Sequence, residues 1–176
     1  MPENIKHCHD TFEILYVISG EGRCIVEGSS FDFKVGSMMI FKPFEYHCIE
    51  LSGTTEYERF VLNFTLDSII DDSSKLITEF INNDSFVKYY SANVLSSELT
   101  SIFERFENAA NLPEDEKKLY LKMLLSELLL LLSCSGGEYI SNTEEELGTR
   151  VIKYLNEHIN KDVSLDNLAK RFHYAF

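Results

Sequence analysis

Residues 7–22, HCHDTFEILYVISGEG, put two histidines, an aspartate and a glutamate into seven positions and then run into an apolar segment and a Gly-x-Gly turn. Successive side chains of a strand point to opposite faces, so His7, His9, Glu13, Leu15 and Val17, all of one parity, share a face. On a straight strand Glu13 would lie ~13 Å from His9, at ~3.3 Å per residue. The polar groups meet only if the chain bends at Asp10–Thr11, residue types that suit a turn or bulge. His47 opens "YHCIELS" (46–52) with Ile49 and Leu51 on its own face and Cys48 and Glu50 on the other. Neutral imidazoles and a carboxylate form a mixed nitrogen and oxygen donor set suited to a divalent metal such as Zn, Ni, Fe or Mn. An isolated histidine here would read as a core residue satisfied by a backbone hydrogen bond. Three of the chain's five histidines with one glutamate, all of consistent parity, make His7, His9, Glu13 and His47 a candidate metal or ligand site.

Short β-rich segments surround this stretch. "TFEILYVIS" (11–19), "GRCIVEG" (22–28), "SFDFK" (30–34), "SMMIFK" (37–42), "YHCIELS" (46–52) and "EYERFVLNFT" (56–65) are rich in aromatic and β-branched residues. Gly20, Gly22, Gly28, Gly36, Pro43 and Gly53 separate them. Short strands at this spacing predict an all-β sandwich or barrel.

Near residue 67 the period becomes helical. "SKLITEFINN" (74–83) reads as a helix and "SFVKYYS" (85–91) as one more strand. "NVLSSELTSIFERFENAA" (93–110) lines Leu95, Leu99, Ile102, Phe103 and Phe106 along one helix face. "PEDEKKLYLKMLLSELLLLLS" (113–133) opens with Pro113 and acidic residues, as suits a helix N-terminus. Its second half is apolar all round and needs cover on all sides. A small barrel supplies little of that cover, so a homodimer through 113–133 is expected; the alternative is that helix 93–110 and the barrel suffice. The polar "SCSGGEYISNTEEE" (133–146) reads as a linker. In "TEEELGTRVIKYLNEHIN" (143–160), Thr143 and Glu146 form a capping box. "KDVSLDNLAKRF" (161–172) has Ser164 as N-cap and Leu165, Leu168, Ala169 and Phe172 inward. His158 and His173 read as surface residues.

The chain has 176 residues, 44% hydrophobic and 26% charged, and a formal net charge of −13. Such a surface repels phosphate backbones, so this chain alone is expected to be a poor nucleic-acid binder. The start shows no signal-peptide apolar core, and no apolar run reaches the ~20 residues that span a bilayer. No membrane partner and a cytoplasmic location are expected. Cys8, Cys24, Cys48 and Cys134 form no Cys-x-x-Cys pair and read as free thiols.

His7-x-His9-x-x-x-Glu13 followed by Gly20 resembles the first cupin motif, and Gly36 through Pro43 to His47 resembles the second. Cupin metal enzymes show Pro-x-Gly-x-x-His; here Pro43-Phe-Glu-Tyr-His47 is one residue shorter and lacks that glycine. The shorter form, with "SFDFKVGSMMIFKPFEYH" and "YERFVLNF", resembles the effector-sensing domains of AraC-type transcription regulators. "VIKYLNEHINKDVSLDNLAKRF" is similar to the start of the family's first helix-turn-helix. The resemblance implies a cupin β-barrel, or jelly roll, over 1–66. A helical dimerisation extension over 67–134, a linker over 135–144 and an incomplete helix-turn-helix domain over 145–176 would follow. The DNA-reading helix falls beyond "HYAF", so DNA is an expected partner only of a full-length form.

It also implies a small-molecule effector, sugar-like or otherwise polar, in the barrel, and no catalytic residues. His7, His9, Glu13 and His47 would line the barrel mouth and bind either a metal or the effector directly. Tyr16, Arg23, Phe41 and Tyr46 join His47 as candidates for the effector pocket and read equally well as wall or surface residues. The alternative function is a metal-dependent cupin enzyme of isomerase or dioxygenase type, using the same four ligands. A third reading, an interaction module without a ligand, predicts a barrel interior filled by side chains.

Overall fold

The computed structural model describes residues 5–26, 29–53, 56–70, 74–82, 88–91, 96–135, 138–139, 147–158 and 163–172. Six strands come first: β1 (Phe12–Ser19), β2 (Gly22–Val26), β3 (Ser29–Phe33), β4 (Met38–Phe41), β5 (His47–Leu51) and β6 (Glu58–Phe64). After a short 3-10 turn at Leu66–Ser68 come helix α1 (Ser74–Asn82), strand β7 (Lys88–Tyr90), and helices α2 (Ser96–Ala109) and α3 (Glu114–Cys134). Strand β8 (Glu138–Tyr139) and helices α4 (Leu147–Glu157) and α5 (Leu165–Phe172) complete the described elements.

The strands form two antiparallel sheets, β6-β1-β4-β7-β8 and β3-β2-β5. The expected barrel is thus realised as two facing sheets, and no closed barrel forms among the described residues. Leu15 and Val17 of β1 pack between them against Cys24, Val26, Phe33, Met39, Phe41 and Ile49. The opposite parity, Phe12, Ile14 and Tyr16, faces a helical layer that brings Ile77 and Ile81 from α1, Leu99, Ile102 and Phe103 from α2, and Leu125, Leu128, Leu129 and Leu132 from α3. Residues 12–17 are consequently buried on both faces, which explains an apolar run broken by one acid, Glu13.

Two glycines make the β1–β2 connection workable. Gly20 adopts φ 90°, a conformation costly for side-chain-bearing residues. At Gly22, an added Cβ would lie 2.2 Å from the Glu50 carbonyl oxygen of β5.

Several expectations are revised. Most of the apolar half of α3 is covered by the chain's own sheet, α1 and α2, so burial of that half does not itself require a partner. Leu119, Met123 and Leu130 remain 60%, 50% and 47% exposed. β7 forms where a strand was expected, whereas β8 falls inside the expected linker and pairs with β7. Ser164 caps α5 through a hydrogen bond accepted from the Asn167 N–H at 3.3 Å. Leu165, expected inward, is 71% exposed because it follows the cap before the apolar face of α5 turns in. His158, expected at the surface, is half-buried, stacked on Tyr154 with ring centroids 4.1 Å apart. His173 and the Thr143/Glu146 capping box lie outside the described residues. No helix among the described residues is long and apolar enough to cross a membrane.

Candidate functional site

The segment before β1 runs antiparallel to the loop that leads into β5. The His7 N–H donates to the His47 carbonyl at 3.0 Å, and the His47 N–H donates to the His7 carbonyl at 2.9 Å. The Phe44 N–H donates to the His9 carbonyl at 2.7 Å, so the same loop also holds the third histidine. Residues 10 and 11 then bend the chain into β1. This is the bend the spacing requires, and it brings His9 Nε2 to 2.7 Å from Glu13 Oε2. His47 Nε2 lies 3.9 Å from Glu13 Oε1.

The imidazole centroids of His7 and His47 are 4.6 Å apart, those of His7 and His9 5.0 Å, and those of His9 and His47 5.5 Å. One ring nitrogen from each of the three lies within 4.8 Å of the others. Two of the rings are oriented from behind. His7 Nδ1 sits 2.8 Å from the Ile5 carbonyl oxygen, and His47 Nδ1 sits 2.9 Å from that of Glu45. A carbonyl oxygen only accepts, so Nδ1 carries the proton in both and Nε2 presents a lone pair. Metal-ligating histidines are typically held by such outer hydrogen bonds.

Burial dominates the electrostatics. His47 is 2% exposed, and its pKa falls from 6.5 to about 4, chiefly through burial. The positive forms of His7 and His9 push the same way, while the bond to Glu45 opposes. Burial raises the Glu13 pKa, against the pull of His9, His7 and Arg59. His47 Nε2 is buried and has no hydrogen-bond partner among the described residues. Buried polar atoms are almost always satisfied, so this lone pair is the least ordinary feature of the site.

Of the pocket candidates, Phe41 belongs here: its ring stacks on His47 with centroids 4.0 Å apart. Tyr46 is half-buried in the same loop, with the Lys6 ammonium 5.5 Å from its ring centroid. Tyr16 does not reach the site. Its parity turns it to the helical layer, where it stacks on Phe103 at 4.9 Å. Arg23 also points away, pairing with Asp32 at 3.1 Å on an exposed face, because its neighbours Gly22 and Cys24 take the inward parity. Glu45 was not anticipated. Its carbonyl orients His47, and its buried carboxylate accepts the Lys42 N–H at 2.9 Å, closing the loop. Strand parity does not run through a turn, so nothing in the spacing marks it.

Behind the histidines, the inward side chains are apolar and packed together. The site is therefore a polar, imidazole-rich end on an apolar interior. It can donate lone pairs to a cation or accept hydrogen bonds from hydroxyls, with one carboxylate to balance charge.

The fold is similar to that of the AraC-like transcriptional activator CuxR, which is 11% identical, with TM-score 0.56 over 95% of this chain and 58% of that one. It is also similar to an apo lysine-to-alanine variant of ToxT from Vibrio cholerae, 11% identical, with TM-score 0.51 over 97% of this chain and 65% of that one. The chain thus spans about three-fifths of the length of these structures. No curated protein matches its sequence. The family described as the AraC-like ligand binding domain matches residues 3–133, most of the chain, and the chain belongs to that family.

Proposed function

We propose that this chain is the effector-sensing and dimerising part of an AraC-type transcription regulator, and that His7, His9, Glu13 and His47 form its recognition point. The observation that carries the reading is the buried Nε2 of His47, without a hydrogen-bond partner among the described residues, 3.9 Å from the Glu13 carboxylate and beside two further imidazoles. A small polar effector, sugar-like in its hydroxyls, binds there either directly or through a divalent ion. A zinc ion held at ~2.0–2.1 Å from each nitrogen requires them closer than 4.8 Å, so an ion draws in the half-buried His7 and His9. Zn, Ni, Fe and Mn all suit the donor set.

Dimerisation through α3 is supported by Leu119, Met123 and Leu130, whose spacing of four and seven puts them on one exposed stripe. DNA is contacted by the full-length regulator, through the helix-turn-helix that α4 and α5 begin. The role is non-enzymatic. Metal analysis and turnover assays test this. The sensor reading expects sub-stoichiometric, chelator-removable metal and no turnover. Full-occupancy iron or manganese with turnover of a small substrate contradicts it and favours the cupin-enzyme reading.

A further inference from the structure

Strand β8 is the outermost strand of the larger sheet and the last strand before α4. It is two residues long, Glu138–Tyr139, below the ~3–10 residues usual for a strand. Lys88 of β7 pairs with Tyr139, and Tyr89 of β7 pairs with Glu138. A ladder so short, at the edge of a sheet, belongs to the low-stability end of a fold, where local opening occurs without global unfolding.

β7, by contrast, is fixed on three sides. It pairs with β4, Tyr89 against Met39 and Tyr90 against Met38. On the inner face, the Tyr89 ring centroid lies 5.0 Å from that of Phe31, and its hydroxyl lies 3.2 Å from Ser37 Oγ. On the helical face, Tyr90 is buried and its hydroxyl donates to the Leu132 carbonyl at 3.1 Å. The same carbonyl accepts the Ser135 N–H at 3.3 Å and the Ser135 hydroxyl at 3.0 Å, which closes the end of α3. β7 is therefore held without β8, and α3 is anchored as far as Ser135.

Gly136 and Gly137 stand between Ser135 and β8 in the sequence. Glycine loses more backbone freedom on ordering than any other residue, so release of β8 regains that freedom. The reach of α4 depends on which anchor is in force. With β8 on β7, the start of α4 at Leu147 lies within ~29 Å of Tyr139, at ~3.6 Å per extended residue. With β8 released, the limit is measured from Ser135 and grows to ~43 Å at the same rise.

We propose that β8 is a releasable clasp on the segment that leads to α4: docked on β7 it restrains α4 and α5, and released it lets them move about Ser135. The inference rests on the proposed function only for what the clasp serves, the presentation of α4 and α5 by the sensing part. Tyr89 packs against the apolar cluster that contains Phe41, the residue stacked on His47. A ligand that repacks this interior therefore reaches the clasp through β7.

Hydrogen–deuterium exchange of the full chain, read by peptide, tests the clasp. In wild type the β8 peptide is expected to exchange about tenfold or more slower than in the urea-unfolded chain, and about tenfold or more faster than the peptides of β7 and the inner half of α3. Exchange of β8 at the unfolded-chain rate overturns the proposal, because no clasp then forms. Exchange no faster than that of β7 also overturns it, because the clasp then does not release. Two variants check the reach by small-angle scattering. Glu138→Pro/Tyr139→Pro removes both N–H donors of β8 and is expected to enlarge the maximum dimension while α3 stays protected. Lys88→Cys/Tyr139→Cys joins register partners, in a Cys134→Ser background because Cys134 is exposed. Its oxidised form is expected to have a smaller maximum dimension than the proline variant, and equal dimensions overturn the proposal. These readouts need no effector, so their failure leaves the histidine reading standing, and a failed effector screen leaves them standing.

Discussion

A buried polar atom left without a partner costs about 1–3 kcal/mol, and among the described residues His47 Nε2 has no hydrogen-bond partner. Its surroundings also make the site sensitive to acid. The folded-state pKa of His47 is about 4, against 6.5 for the ordinary group, so between these values the unfolded chain holds more protons. Stability from this residue is therefore present above pH 6.5 and is lost as pH falls toward 4. The raised pKa of Glu13 has the opposite sign: its contribution is present below the ordinary carboxylate pKa and is lost as pH rises through the folded value. In chelator-treated protein, urea unfolding at pH 7 and pH 4.5 should show a His47-dependent loss of about 2–3 kcal/mol. His47→Gln should lack that loss; an equal loss in both proteins would contradict the assignment. Gly22 is the other sensitive position. A methyl group there meets the Glu50 carbonyl oxygen, so Gly22→Ala should cost about 1–3 kcal/mol, measured in the same unfolding experiment.

Among the elements, α3 carries the proposed dimer contact. Its inner face, Leu125, Leu128, Leu129 and Leu132, is committed to the chain's own core, which leaves Leu119, Met123 and Leu130 outside. Charges at Met123 and Leu130 should therefore convert a dimer to a monomer with little loss of thermal stability. Light scattering of Met123→Glu/Leu130→Glu at high micromolar concentration checks this, and a wild-type monomer at that concentration would contradict the dimer. The strands were legible in the sequence because alternation and glycine punctuation are local, and observed strands begin and end close to the expected positions. The cover over α3 was not legible. It depends on where α1 and α2 dock, which no local period encodes. Similarly, parity marked Glu13 and His47 as inward and put Tyr16 on the opposite face of β1, but no local pattern showed that a helical layer would cover that face. β8 escaped notice because a two-residue strand in a polar stretch carries no pattern.

At the scale of the whole molecule, two facing sheets carry the histidine cluster at one end, and a helical layer closes the far side of the larger sheet. β4 joins the two regions: its Phe41 stacks on His47, and its neighbour β7 pairs with β8 just ahead of α4. A ligand that shifts His47 and Phe41 thus acts on β4, which is separated by one strand, β7, from β8, the strand that precedes α4. Coupling of this kind requires different ligand affinity for two states of the molecule. The net charge of −13 opposes contact with nucleic acid, so this chain alone should show no sequence-specific duplex binding that resists raised salt. A gel-shift titration at two salt concentrations checks that outcome. The central claim, that the histidine cluster is a recognition point, is tested most directly by a thermal-shift screen of sugars and small polar metabolites, with and without chelator, on wild type and His47→Gln. At saturating excess a true effector should add ~2–4 kcal/mol of stability to the wild type and nothing to His47→Gln. The chelator arm separates binding through an ion from direct binding. Equal stabilisation of both proteins by an effector would contradict the account.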